Sequence, residues 1–200
     1  MEKSKQKLLE EYGVKPAKFI LVEVAFLSER KGQRHLLKAL QQIKKNHPNI
    51  NADMVLFLVG DGEDYHALKE FTIASGLDDN VIFTGYVPNY CDFINACDIF
   101  FLPSVGEEDM PLVILSAMAL KKAVIATKVA GISEEIEDGV SGKLLEVAHL
   151  DTLHEEILQL YKDESLRHYY CDNAFIRFSE LFNRESVYPK FIDLYKMMTK

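Results

Sequence analysis

Apolar residues along this chain come in two rhythms. Short unbroken runs read as strands buried on both faces: Phe19-Ile-Leu-Val22 with Val24-Ala25, Met54–Val59, Asn80–Val87, Asp98–Leu102, Ala123–Ala126 and Lys143–Glu146. Glu23 is an odd charge inside the first of them. Between the runs, apolar residues recur at helical spacing: Leu36, Leu37, Leu40 and Ile43 in a helix stopped at Pro48, then Ala67, Leu68, Phe71 and Ala74, then Phe93 and Ile94, then Leu112, Leu115, Met118 and Ala119. A short amphipathic helix with Leu8 and Leu9 on one face comes first, ended by Gly13 and Pro16. From Asp151 onwards the pattern is helical throughout, in segments carrying Leu153 to Tyr161, Leu166 to Tyr170, Phe175 to Phe182, and Val187 to Tyr195. Strands alternating with helices predict an α/β fold with an open parallel sheet, helices on both faces and a helical C-terminal tail. No internal repeat or Gly/Ser linker divides the chain, so one domain is expected over 1–200, with the sheet core at about 15–150 and helices over 151–200.

The densest stretch is 103–135, which holds a strand end, an acidic loop with Glu107, Glu108 and Asp109, a helix opened by Pro111, a second strand and the Ala130-Gly131 turn. In open parallel sheets, ligands sit beyond the carboxyl ends of the strands, which places Glu108 and Gly131 on the ligand edge. A carboxylate beside a helix N-terminus suits a ligand offering hydroxyls to the acid and an anion to backbone N–H groups. The same acids would equally serve as helix caps. The turn Gly60-Asp-Gly-Glu-Asp64 follows another strand end, without the G-x-G-x-x-G spacing of a dinucleotide site.

Composition narrows the field. With 48% hydrophobic and 27% charged residues the chain is ordinary globular protein. A net charge of −8 argues against nucleic acid as partner, since phosphate backbones call for a basic face. Cys91, Cys97 and Cys171 have no metal-ligand spacing, and three is a poor number for a disulfide framework, so reduced thiols in a cytoplasmic setting are expected. No apolar run approaches a membrane span, and the charged N-terminus reads as neither leader nor anchor.

The string EDMPLVILSAMALKKAVIATKVAGISEEIEDGVSGKLL resembles the signature of retaining glycosyltransferases of the GT-B fold, family 4, which runs E-G-F-G-L-x-x-x-E-A-M-A-x-G-x-P-V-I-A and then G-G-x-x-E-x-I-x-D-G-x-x-G. Glu108 falls on the first Glu and Ala117-Met118-Ala119 on A-M-A, while Ser116 stands at the second Glu, Lys121 at the Gly and Ala123 at the Pro. The family's V-G-R-L-x-x-x-K-G matches at Lys31-Gly32, with Ala25-Phe26 in place of Gly-Arg. Arg30 and Arg34 lie close enough in sequence for either to replace that guanidinium. Gly60 and Gly62 are similar to the family's G-x-G loop, and Tyr86 and Val87 to the end of its V-x-F-x-G-x-V strand, which contacts the nucleotide base.

The resemblance spans roughly 15–180 and implies a Rossmann-like half of a GT-B enzyme, the half that binds a nucleotide-diphosphate sugar linked to UDP, GDP or ADP. It implies Glu108 and Lys31 as the catalytic pair, with Arg30, Gly32, Gly60, Gly62, Tyr86, Val87, Asp109, Met110, Pro111, Leu112, Ser116 and Gly131 around the donor. In that scheme Lys31 and the N–H groups of the Gly131 turn hold the diphosphate without a metal or other cofactor, and Glu108 holds sugar hydroxyls. The family's second Glu grips ribose hydroxyls, where Ser116 is too short to reach. The acceptor domain is expected to be missing, supplied by a partner chain or by the rest of an excised enzyme, with the last helix crossing back towards it. A hexosyltransferase for polysaccharide or glycolipid, cytoplasmic and peripheral at the inner membrane face, is the leading reading. A binding or scaffolding subunit that has lost its grip is the alternative, and a nicotinamide-dependent oxidoreductase is a distant third because no glycine-rich fingerprint follows the first strand.

Overall fold

The computed structural model describes residues 2–15 and 18–198. After helix α1 (Glu2–Glu11), strands β1 (Phe19–Val24), β2 (Met54–Val59), β3 (Val81–Gly85), β4 (Ile99–Leu102), β5 (Ala123–Thr127) and β6 (Lys143–Leu145) form one parallel sheet in the order β3-β2-β1-β4-β5-β6. Every residue of β2, β4 and β5 is buried, as unbroken apolar runs require in a sheet covered on both faces. The connecting helices are α2 (Gln33–Asn46), α3 (Pro48–Asp53), α4 (Tyr65–Ala74), α5 (Cys91–Ala96), α6 (Leu112–Ala119) and α7 (Ile132–Glu135), and the tail is α8 (Leu153–Lys162), α9 (Glu164–Leu181) and α10 (Arg184–Met198). One face of the sheet buries Leu36, Leu40, Leu68, Leu153 and Ile157, and the other buries Leu9, Phe93, Ile114, Met118 and Ala174. This is the Rossmann-like doubly wound architecture expected from the alternation, with the strand order reversing between β1 and β4. The carboxyl ends of those two strands are the switch point, the place where ligands gather in sheets of this kind.

Four local expectations are corrected. Pro48 does not simply stop α2: the chain turns at His47, and Pro48 takes the first position of α3, where its missing N–H costs nothing. That extra helix is locked by Asn51 Nδ2 donating to Asn80 Oδ1 (2.9 Å) and Asn80 Nδ2 donating to Asn51 O (2.7 Å). On α6 the buried face is Ile114, Ala117 and Met118, and Leu112 is 69% exposed, because a helix apolar nearly all round does not reveal its inner face by spacing. Segments expected to be separate over 164–182 form the continuous α9, whose buried residues are Tyr170 and Ala174 while Tyr169 is exposed. β3 stops at Gly85, leaving Tyr86 and Val87 in the following loop. Gly13 turns the chain after α1 with φ 66°, and Pro16 lies outside the described residues.

Candidate functional site

The loop after β1 carries a single 3-10 turn, Glu29–Lys31, closed by Gly32 at φ 78°. A side chain at Gly32 would place its Cβ 2.0 Å from the Pro103 carbonyl oxygen, so glycine is what lets this loop lie against the end of β4. The contact aims Lys31 at the acidic loop, where its Nζ donates to Oε1 of Glu108. The same oxygen accepts from Ser104 Oγ at 2.8 Å, and Arg30 Nη1 stands 3.6 Å from it while donating to Glu107 O at 2.6 Å. Lys31 and Glu108 are mostly buried, whereas the Arg30 side chain is 53% exposed. Arg34 is committed elsewhere, its guanidinium lying 5.0 Å from the centre of the Phe71 ring on α4. Of the two arginines left open by the sequence, Arg30 is therefore the one at this cluster.

Gly131 joins the acidic loop to α7. Its N–H donates to Glu108 O at 2.9 Å, and a Cβ there would fall 1.2 Å from Asp109 O. The next N–H groups donate inside the turn, Ile132 to Val129 O, Ser133 to Ala130 O and Glu134 to Gly131 O. The N–H groups of residues 131–134 are thus engaged within the protein, and the cations beside Glu108 are Arg30 and Lys31.

Of the cavities at this edge, two are lined by Glu108 and by Tyr86 respectively. One, of about 600 Å³, is polar and lined by Arg30, Glu107, Glu108, Asp109, Met110 and Pro111. The other, of about 300 Å³, is mainly apolar and lies among Phe26, Gly60, Tyr86, Val87, Tyr90 and Val113. Phe26 and Tyr86 are exposed, at 58% and 79%, so two aromatic rings flank its mouth. The Gly60–Asp64 turn packs on the loop after β1, with Leu27 N donating to Asp61 O and Asp64 N to Leu27 O. Of the sequence-derived residues, Leu112 points into solvent, and the Ser116 hydroxyl donates back to Leu112 O at 2.9 Å within its own helix.

The structure adds polar residues that motif reading did not assign. Ser104 is fully buried and orients Glu108. Glu23, 1% exposed at the end of β1, has its carboxyl pushed well above the ordinary range, by burial first and then by the charge of Glu108, with Lys31 and Gln33 acting the other way. Glu135 is fully buried with neither carboxyl oxygen hydrogen-bonded, and burial together with the Glu108 charge pushes it up to about 8. A charge in an otherwise apolar strand was the visible signal for Glu23, whereas nothing separates Glu135 from its exposed neighbour Glu134 in the sequence.

A doubly wound parallel sheet with cations and a buried carboxylate gathered at its switch point defines a Rossmann-like α/β architecture. Residues 4–177 match the family described as glycosyl transferases group 1, and the chain belongs to that family. It is 30% identical over 92% of its length to N-acetyl-alpha-D-glucosaminyl L-malate synthase of Bacillus anthracis, of which it covers 44%. Among solved structures, HepE of Anabaena in complex with UDP-glucose is 28% identical with a TM-score of 0.86, the match covering 98% of this chain and 53% of that one. The C-terminal domain of a glycosyl transferase group 1 family protein from Francisella tularensis, 24% identical, shares the fold with a TM-score of 0.77 over 90% of this chain and 93% of that one. The chain spans about half the length of the B. anthracis and Anabaena relatives. Among the described residues no helix is long and apolar enough to cross a membrane.

Proposed function

We propose that this chain is the donor-binding half of a retaining glycosyltransferase that moves a hexose from a nucleotide-diphosphate sugar to a polysaccharide or glycolipid acceptor. The observation that carries the reading is the convergence of Lys31 and Arg30 on Glu108 beside an aromatic-flanked cavity. Breaking the bond between an anomeric carbon and a diphosphate builds negative charge on phosphate oxygens, and two preorganised cations stabilise it at the moment it develops. Lys31 and Arg30 take the diphosphate, which frees Glu108 to accept hydrogen bonds from sugar hydroxyls and to favour a cationic transition state. Gly32 and Gly131 hold the two loops at contact distance, and Asp109, Met110 and Pro111 form the sugar-side wall. Tyr86 and Val87, with Phe26 opposite and Gly60 and Gly62 beneath, receive the base, and Leu112 and Ser116 border the ribose. The complexes of HepE with UDP and UDP-glucose support UDP over GDP or ADP as the carrier.

In this reading residues 1–200 act as one donor-binding unit. The acceptor side comes from sequence outside this chain, no metal takes part, and the enzyme works in the cytoplasm, touching the inner membrane face peripherally. The alternative, a scaffolding subunit that keeps the fold without the grip, draws on the Ser116 hydroxyl being turned into its own helix. Calorimetric titration with UDP, GDP and ADP, each followed by its sugar nucleotide, separates the two. The donor reading expects one nucleotide to bind in the micromolar to millimolar range and its sugar to add affinity, whereas a folded chain that binds none belongs to the alternative.

A further inference from the structure

Beneath the Lys31 loop, Gln33 Nε2 donates to Glu23 Oε1 at 2.9 Å and to Phe26 O at 3.2 Å. Glu23 and Gln33 are each 1% exposed. Glu23 Oε2 and Gln33 Oε1, the remaining atoms of the two groups, are both buried without a hydrogen-bond partner. Leaving a buried carboxylate oxygen and a buried amide oxygen both unpaired is costly, because each has given up its water without gaining a donor. A carboxyl proton resolves both at once, because a carboxylic acid offers one acceptor and one donor to a primary amide that offers one donor and one acceptor. The strand neighbours of Glu23 in register are Leu58 and Phe101, which provide no other partner.

We propose that Glu23 is protonated and pairs with Gln33 along both edges, Oε2–H donating to Gln33 Oε1 while Oε1 accepts from Nε2, and that this neutral pair positions the loop carrying Lys31. The second Gln33 bond, to Phe26 O, transmits the pair's geometry to the loop. The charged groups acting on Glu23 are Lys31 from the 3-10 turn and Glu108 from the loop after β4, and Glu108 is in turn faced by Arg30 and influences Glu135. Burial outweighs the pull of Lys31, in keeping with a proton held at Oε2. An ionised Glu23 would lose its bond to Gln33 Oε1 and set a second carboxylate in competition for Lys31, to the detriment of an anionic donor.

The functional half of this proposal rests on the donor reading, and the protonation half does not. The infrared difference spectrum between the unsubstituted chain and Glu23→Gln at neutral pH is expected to show the carbonyl band of a protonated carboxylic acid, with Glu135 cancelling because both chains retain it. Carboxylate bands in its place would overturn the proposal even if UDP-glucose binds well. For positioning, Gln33→Leu is expected to weaken UDP-glucose binding about tenfold, and the exchange Glu23→Gln with Gln33→Glu, which rebuilds the pair reversed, is expected to recover most of that loss. An exchange no better than Gln33→Leu, with both proteins folded by circular dichroism, would reduce the pair to core filling. UDP-glucose affinity in the unsubstituted chain is also expected to fall at alkaline pH, by up to tenfold per unit, and Glu23→Gln to remove the Glu23 part of that fall. If UDP-glucose binds neither chain, the donor reading fails while the infrared result still decides the state of Glu23.

Discussion

Lys31 and Glu108, 77 residues apart in sequence, are joined by a hydrogen bond from Nζ to Oε1, with the Arg30 guanidinium 3.6 Å from the same oxygen. The loops that follow β1 and β4 thus meet in an ion pair at the switch point of the sheet. The pair is largely shielded from water, so its attraction is stronger than that of a surface pair, and removing one partner leaves the other charge uncompensated. In the proposed function, a donor diphosphate competes with Glu108 for Lys31, and the released carboxylate turns to the sugar hydroxyls.

Glu108→Gln keeps the shape and removes the charge. Free UDP is expected to bind at least as tightly as to the unsubstituted chain, because Lys31 and Arg30 are released, while the added affinity given by the sugar is expected to shrink. Paired calorimetric titrations with UDP and UDP-glucose check this, and an equal loss for both ligands would place Glu108 away from the sugar.

Ser116→Glu replaces a hydroxyl bonded to Leu112 O with a carboxylate long enough to leave the helix surface. A charge-assisted bond to a ribose hydroxyl is worth roughly 1.5–3 kcal/mol, so UDP is expected to bind about tenfold more tightly or better. No gain in titration would mean that the ribose lies beyond reach of this position.

Gly131→Ala has no room, since the new Cβ would fall 1.2 Å from Asp109 O. The acidic loop and α7 must part for the substitution to be accommodated, with an expected loss of at least about 3 kcal/mol in urea unfolding. A loss within 1 kcal/mol of zero, by the same unfolding measurement, would show the contact between these loops to be soft.

Stability should fall as pH rises. Glu135 ionises at an ordinary 4.5 when unfolded and at about 8 when buried, so between those values the folded state binds the extra proton. Its contribution is fully present below 4.5 and is lost as pH climbs to about 8, with a slope of up to about 1.4 kcal/mol per pH unit. Glu23, shifted in the same direction, adds to the trend. Chemical unfolding at a series of pH values is expected to show the decline, and Glu135→Gln to flatten it. An unchanged slope in that variant would mean that Glu135 is ionised in the folded protein.

β2, β4 and β5 are legible almost to the residue because burial on both faces erases polar positions, as in Met54–Val59, whereas the partly buried β3 reads two residues too long at its end. α6 shows the limit of the same signal: with Leu112, Val113, Ile114 and Leu115 in succession, spacing marks a helix without telling which side packs inwards. Pro48 reads as a stop in the sequence because no apolar period announces α3, a helix held by asparagine side chains. At the site, the resemblance supplied Lys31 and Glu108 but not their mutual bond, which depends on Gly32 meeting Pro103 across the sheet edge. The choice between Arg30 and Arg34 turned on Phe71, far along the chain. Glu135 is invisible in sequence because its burial comes from tertiary packing of α7, which is bonded to the acidic loop through Gly131 and to α9 through Arg177.

The most direct test of the donor site is titration of UDP-glucose into the unsubstituted chain and into Lys31→Ala across a range of salt concentrations. Measurable binding by the unsubstituted chain, weakened at least about tenfold in Lys31→Ala and with a shallower salt dependence, is the predicted result. Equal affinity and equal salt dependence in the two proteins would contradict it and take Lys31, and with it the pairing to Glu108, out of the donor site.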